Sequence, residues 1–205
     1  MKKSEKTRLL IIEKAAVLFN QKGYAGTSMK DIMDATGLTK GGIYGNFKKE
    51  GADKKGVKDE IAVAAFKYAV GLVNEETRNR TYVIDNSLDK LKAVVYFYKE
   101  RVMNPPVEGG CPILNTAIDS DDSQPILRKN VVKAMTYWRE RIVKTLEKGK
   151  EKNEVIEDVD GEEFATLFIG TLEGGIMMAR LFKNNHHFDI MADQLIRMIE
   201  ELRKK

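Results

Sequence analysis

Thr27-Ser28-Met29-Lys30-Asp31-Ile32-Met33-Asp34-Ala35-Thr36-Gly37-Leu38-Thr39-Lys40-Gly41-Gly42-Ile43-Tyr44-Gly45-Asn46-Phe47 carries two helix starts and one helix stop within twenty-one residues. Ser28 followed three residues later by Asp31 has the form of a capping box: the serine oxygen accepts the Asp31 amide, and the Asp31 carboxylate takes the place of the more usual glutamate. That helix ends at Gly37, and after a short turn Thr39 can cap another that runs through Phe47. Two short helices joined by about three residues with a turn glycine make a helix-turn-helix pattern. Upstream, Ile11, Ile12, Ala15, Leu18 and Phe19 recur at the spacing of one buried helical face, predicting a helix over residues 4–22 that stops at Gly23.

Downstream the helical period continues. Ile84, Leu88, Leu91, Val95, Tyr98 and Val102 form one stripe, and Val131, Met135, Trp138 and Ile142 another. Phe164, Leu167, Phe168 and Leu172, then Met191, Leu195, Met198 and Leu202, give two more. Turn-forming residues separate them at 104–110, 119–125, 153–161 and 184–189. No run alternates as a strand would, so the expected class is all-α. An N-terminal three-helix domain (1–57) precedes a larger helical domain (58–205).

Composition narrows the function. The 205 residues hold 35 Lys+Arg against 31 Asp+Glu, and residues 1–60 carry 13 of the former against 8 of the latter, so the whole basic excess sits at one end. A basic end on an otherwise neutral chain suits an anionic partner. One cysteine and two adjacent histidines, His186 and His187, supply neither a disulfide framework nor metal-ligand spacing, and no cofactor or metal is expected. No uninterrupted apolar run approaches a membrane span, since Lys67 and Glu173 break the longest ones, and a cytoplasmic protein is expected.

Thr7-Arg8, Ala15-Ala16, Leu18-Phe19, Gly23-Tyr24, Gly26-Thr27-Ser28, Asp31-Ile32, Thr36 to Gly41 and Ile43-Tyr44…Phe47 follow one another as in the tetracycline-repressor-type regulators, which residues 7–47 resemble. The resemblance implies a DNA-binding domain fused to a helical domain that dimerises and binds a small ligand, whose arrival loosens the grip on DNA. It implies DNA contacts at Lys40, Gly41, Tyr44 and Asn46, with Thr27, Ser28 and Lys30 near phosphates. Lys58, at the start of Lys58-Asp59-Glu60-Ile61, corresponds to a phosphate-gripping lysine that opens the family's fourth helix. Residues 48–57 then form an insertion, and Lys54 or Lys55 could take that part instead.

Helical projection of the third helix points Ile43 and Phe47 inward and leaves Gly41, Gly42 and Gly45 outward, with Tyr44 and Asn46 on the edges and Lys40 in the first turn below Thr39. Each glycine costs about 1 kcal/mol against alanine, a cost that close approach to DNA would justify. Base discrimination would then rest on few side chains: Lys40 towards guanine, Asn46 towards adenine, and Tyr44 on a phosphate or thymine methyl.

In the second domain, Phe97, Tyr98, Met135 and Trp138 are candidate ligand contacts, as is Cys111, which precedes Pro112 at a helix start. A thiol there can favour its anion, so a thiol-based sensor or thiol-dependent enzyme is the alternative; a small buried hydrophobe is the plainer reading. Gly170, Gly174 and Gly175 with the stripe from Met191 to Leu202 suggest a two-helix dimer interface. Taken together these point to a homodimeric repressor, not an enzyme, released from a palindromic operator by a small molecule.

Overall fold

The computed structural model describes residues 2–47 and 54–205, with the backbone alone at Lys54 and Lys55. Among the described residues the regular elements are nine helices: α1 (Lys3–Gly26), α2 (Met29–Thr36), α3 (Lys40–Phe47), α4 (Lys54–Thr81), α5 (Ser87–Arg101), α6 (Pro112–Ser120), α7 (Pro125–Glu151), α8 (Gly161–Phe182) and α9 (His186–Glu201). The only extended pairing among them is an isolated bridge between Val155 and Arg203. The all-α expectation holds.

The chain forms two compact units, residues 1–72 with 107–133, and residues 73–106 with 134–205. Packing therefore divides it elsewhere than at residue 57: the first part of α4, all of α6 and the start of α7 join the helix-turn-helix.

In the first unit, Ile11, Ala15 and Ala16 of α1 share a core with Ile32, Ile43, Phe47, Val57, Ile61, Ala65 and Ala69. Each fully buried isoleucine contributes about 1.5–3 kcal/mol, so this small domain is held mainly by the stripe that its sequence periodicity announces. Helical geometry in α1 breaks at Gly23, whose φ of 71° is open to glycine at little cost. The amide of the next residue, Tyr24, donates to the Asp119 carboxylate of α6 at 2.5 Å. A second clamp joins the same helices, because the Asn115 amide donates to Asn20 O and Oδ1 and to Gly109 O at 2.8–3.0 Å. Asn20 in turn donates to Gly110 O at 3.1 Å.

In the second unit, α8 packs on α9 and α9 on α5. The buried face of α8 is Phe164, Phe168, Leu172, Gly175 and Ala179. Leu167, placed in the buried stripe by sequence, is half exposed, one position round the helix from Phe168. Helix α8 is long and apolar enough to cross a membrane by length and composition alone, as core helices also are; half of its apolar window is buried within this unit.

Two boundaries differ from expectation. Helix α4 begins at Lys54, four residues before Lys58, and residues 48–53 of the expected insertion lie outside the described residues. His186 and His187 open α9 rather than occupying a turn before Asp189, and the His187 ring lies 4.9 Å from that of Phe182.

Candidate nucleic-acid interface and ligand site

The helix-turn-helix is built by local chemistry. Ser28 caps α2 by accepting the Asp31 amide at 3.1 Å, and the Asp31 carboxylate accepts the Ser28 amide at 2.8 Å, closing the capping box. The Ser28 hydroxyl also donates to that carboxylate, and Lys22 pairs with it at 3.0 Å. These contacts, the Ser28 bonds first, hold the Asp31 carboxyl well below the usual carboxylate range. Gly37 ends α2 in the left-handed conformation. Thr39 opens α3 by accepting the Gly42 amide at 3.3 Å.

The outer face of α3 is bare. Among the described residues a β-carbon on Gly41 or Gly45 would meet nothing within 4 Å, so no described contact requires glycine at either place. Ile43 and Phe47, 0% and 3% exposed, anchor the inner face. Lys40 is exposed, its amine 5.7 Å from the centre of the half-buried Tyr44 ring one turn on. Lys30 is exposed on α2. Lys30, Thr39, Lys40, Gly41, Tyr44 and Ser28 therefore lie at or near the surface along α2 and α3.

Three expected contacts are placed differently. Thr27 is fully buried, and its hydroxyl donates to Gly23 O and Leu18 O, so its side chain ties α2 to α1 instead of facing solvent. The Asn46 amide donates to Gly42 O at 2.7 Å, folding back on its own helix. Lys58 donates to Tyr24 O at 2.7 Å, its amine 4.1 Å from the Tyr24 ring centre, while the Tyr24 hydroxyl donates to Asp59. Burial lowers the Lys58 pKa, partly offset by Asp59 and Asp119, and burial together with Asp59 raises that of Tyr24. Lys58 thus closes the C-terminal end of α1, and the lysines that open α4 are Lys54 and Lys55. Sequence reasoning passed over Arg8, whose guanidinium lies 4.1 Å over the Phe47 ring and covers the end of α3. The cue was Arg8 one turn ahead of the Ile11/Ala15 stripe.

Of the candidate ligand residues, three form a run of rings in the second unit. Phe97, 1% exposed, meets Tyr98 edge-on at 5.0 Å between centres, and Tyr98 stacks on Trp138 at 6.1 Å. Met135 lies one turn before Trp138 on α7. Cys111 is not among them: it belongs to the first unit, 8% exposed at the start of α6 and in no disulfide, in the surroundings of a small core hydrophobe. Among the described residues no group of three or more His, Cys, Asp or Glu is arranged to hold a metal.

The glycines of α8 divide their roles. A β-carbon on Gly175 would stand 3.0 Å from the Phe188 ring, so this glycine serves the close packing of α8 on α9 within the chain. Gly170 faces open space. With the half-exposed Leu167 and Met177 and the 71%-exposed Leu181 it makes an outward row at spacings of three and four that runs through Gly174, whose β-position also lies 3.8 Å from Met191 of α9.

A capped helix-turn-helix with a bare third helix, followed by long helices with an apolar outward row, defines a helix-turn-helix transcriptional regulator. Two family descriptions match: "Bacterial regulatory proteins, tetR family" over residues 11–50 and "Tetracyclin repressor-like, C-terminal domain" over residues 87–195. A TetR transcriptional regulator from Chloroflexus aurantiacus is similar over 100% of both chains, at 37% identity and a TM-score of 0.92. A TetR-family regulator from Cytophaga hutchinsonii is similar at 34% identity and a TM-score of 0.87, over 100% of this chain and 98% of that one. The transcriptional repressor DhaR of a Mycobacterium species is 21% identical over 87% of this chain and 85% of its own length. The chain belongs to the tetracycline-repressor family of transcriptional regulators, whose N-terminal helix-turn-helix is a DNA-binding domain.

Proposed function

We propose that the protein is a cytoplasmic, homodimeric repressor that reads a palindromic operator and leaves it when a small molecule binds. The observation that carries this reading is the outer face of α3, where Gly41 and Gly45 accept a helix penalty of about 1 kcal/mol each with no described residue filling the space. A groove floor or phosphate backbone is the partner that benefits from bare backbone. Lys40 and Tyr44 then read or grip, and Ser28, Lys30, Thr39 and Gly41 lie beside phosphates. Asn46 joins them once it gives up its bond to Gly42, and Thr27 acts by holding α2 in place.

The functional division at residues 57 and 58 is retained: DNA binding before it, effector binding and dimerisation after it. The outward row of α8, Leu167, Gly170, Gly174, Met177 and Leu181, is the dimer seam. Phe97, Tyr98, Met135 and Trp138 form the effector site. Repression is the role named for DhaR, and it is the role assigned here. An effector that prefers the conformation unfit for the operator weakens DNA binding by the same coupling with which DNA weakens effector binding. No catalysis is part of this reading.

Selection of bound duplexes from a random pool, at about 50 and 200 mM salt, tests it. Recovery of one palindrome, lost with Lys40→Ala or Tyr44→Ala and bound by a species of twice the chain mass, supports the proposal. Weak binding without an enriched motif, vanishing at the higher salt, overturns it.

A further inference from the structure

Both rings of α3 carry a cation. The Lys40 amine lies 5.7 Å from the centre of Tyr44, and the guanidinium of Arg8, from the second turn of α1, lies 4.1 Å from the centre of Phe47. Both cations are exposed. Among the described residues neither is paired with a carboxylate, whereas Lys22 pairs with Asp31, and Arg80, itself over the Phe97 ring, bonds Glu100. A carboxylate neutralises the cation it holds; an aromatic face holds one through its quadrupole and leaves the net charge whole. Lys40 and Arg8 are therefore held in place yet still open to an anion, one at each end of α3.

The two ends of a recognition helix meet different parts of a duplex. Its N-terminal residues, here Lys40 and Gly41, meet base edges, and its C-terminal end is left beside the sugar-phosphate backbone. The eight residues of α3 span about 12 Å, about the width of the major groove. Phe47 is the last of them, and its ring is buried, so among the described residues the group there that can reach outward is the guanidinium lying over it. The start of α1 is basic around that group: Lys2, Lys3, Lys6 and Arg8 are all exposed, and the one acid among them, Glu5, accepts the Lys2 amide at 2.8 Å.

From this geometry we infer that Arg8 grips a DNA phosphate at the C-terminal end of α3, which makes α1 part of the operator interface. The inference rests on the operator reading proposed above and adds a contact from α1 to those of α2 and α3. The planar fork of a guanidinium matches the oxygens of a phosphate, and stacking on Phe47 orients the fork without using its N–H donors. A phosphate contact carries no base information, so Arg8 supplies affinity and register and leaves sequence preference to α3.

The intact protein is compared with Arg8→Met and Arg8→Lys on the palindrome recovered by selection, by fluorescence anisotropy from about 50 to about 300 mM salt. Methionine keeps an apolar stem over Phe47 and removes the charge. The expected result for Arg8→Met is at least a tenfold loss of affinity at the lowest salt, with the slope of log Kd against log salt smaller by about one for each subunit bound. The recovered palindrome and the far-UV circular dichroism stay as in the wild type, and Arg8→Lys, which keeps the charge, keeps the slope. Ethylation of one phosphate per half-site should weaken the wild type and leave Arg8→Met indifferent. An unchanged slope in Arg8→Met, a slope reduced as much in Arg8→Lys, or a changed palindrome overturns the inference, the last by making Arg8 a positioning residue for α3. Where Arg8→Met fails to fold, Arg8→Gln takes its place with the same expected slope. Recovery of no palindrome by the wild type refutes the regulator reading, whereas a recovered palindrome with an unchanged slope refutes the Arg8 contact alone.

Discussion

Replacing Gly45 by alanine sets two consequences of the bare α3 face against each other. A β-carbon there meets no atom of the described residues within 4 Å, so the folded state gains a methyl group without a clash among them. Glycine within a helix is about 0.5–1 kcal/mol worse than alanine, most of it chain entropy that the substitution recovers. For a chain of about 200 residues a gain of 1 kcal/mol raises Tm by about 2–4 °C. The same methyl stands on the surface assigned to DNA, where close approach is the reason for the glycine. Loss of operator affinity by tenfold or more, about 1.4 kcal/mol, is expected, measured by fluorescence anisotropy on the selected palindrome at fixed salt. Stability and affinity should therefore move in opposite directions. A variant with raised Tm and wild-type affinity would refute the close-approach argument, and one with lowered Tm would refute the claim that the space is open.

Lys58→Met should cost about 1–2 kcal/mol of stability through its lost bond to Tyr24 O, yet leave the salt dependence of operator binding unchanged; a slope smaller by about one in log Kd against log salt would restore Lys58 as a phosphate contact. Gly109→Ala should lose at least about 2 kcal/mol in chemical denaturation, because φ is 116° there and the new β-carbon would stand 2.7 Å from Asn20 O; a loss under 0.5 kcal/mol contradicts the tight fit of the 108–111 segment on α1. Asp31, Asp85, Asp89 and Glu100 have carboxyls held low by their donors, and Glu200, bonded first by Arg203 and then by Lys92, is lowered to about 2. Groups lowered in the folded state contribute stability above the ordinary carboxylate range and lose it as pH falls, so acid unfolding followed by circular dichroism should set in below about pH 4; a midpoint above pH 5 would show that these pairs do not govern it. Ser28→Ala removes the cap of α2 and should destabilise by about 1 kcal/mol, with no change in the mass of the assembled species.

Features that depend on neighbours three or four residues away were legible before any tertiary contact. Ser28 and Asp31 close their capping box, Gly37 supplies the left-handed stop, and Ile43 and Phe47 turn inward, because helix geometry brings those spacings together wherever the helix occurs. The run of rings from Phe97, edge-on to Tyr98, to Trp138, stacked on Tyr98, was partly legible in the same way, as aromatic residues on two apolar stripes. The remaining assignments hang on partners far along the chain. Lys58 looks like a phosphate lysine until α1 brings Tyr24 O to it from 34 residues away. Asn20 and Gly110, 90 residues apart, meet only because α6 packs on α1, and Thr27 is turned inward by the two carbonyls of α1 that its hydroxyl meets. Gly175 and Gly170 read alike in sequence, but one fills the crossing with α9 and the other faces open space. Glu173 first reads as a charge interrupting an apolar helix, and only the packing of the helices around it places that side chain inside the second unit.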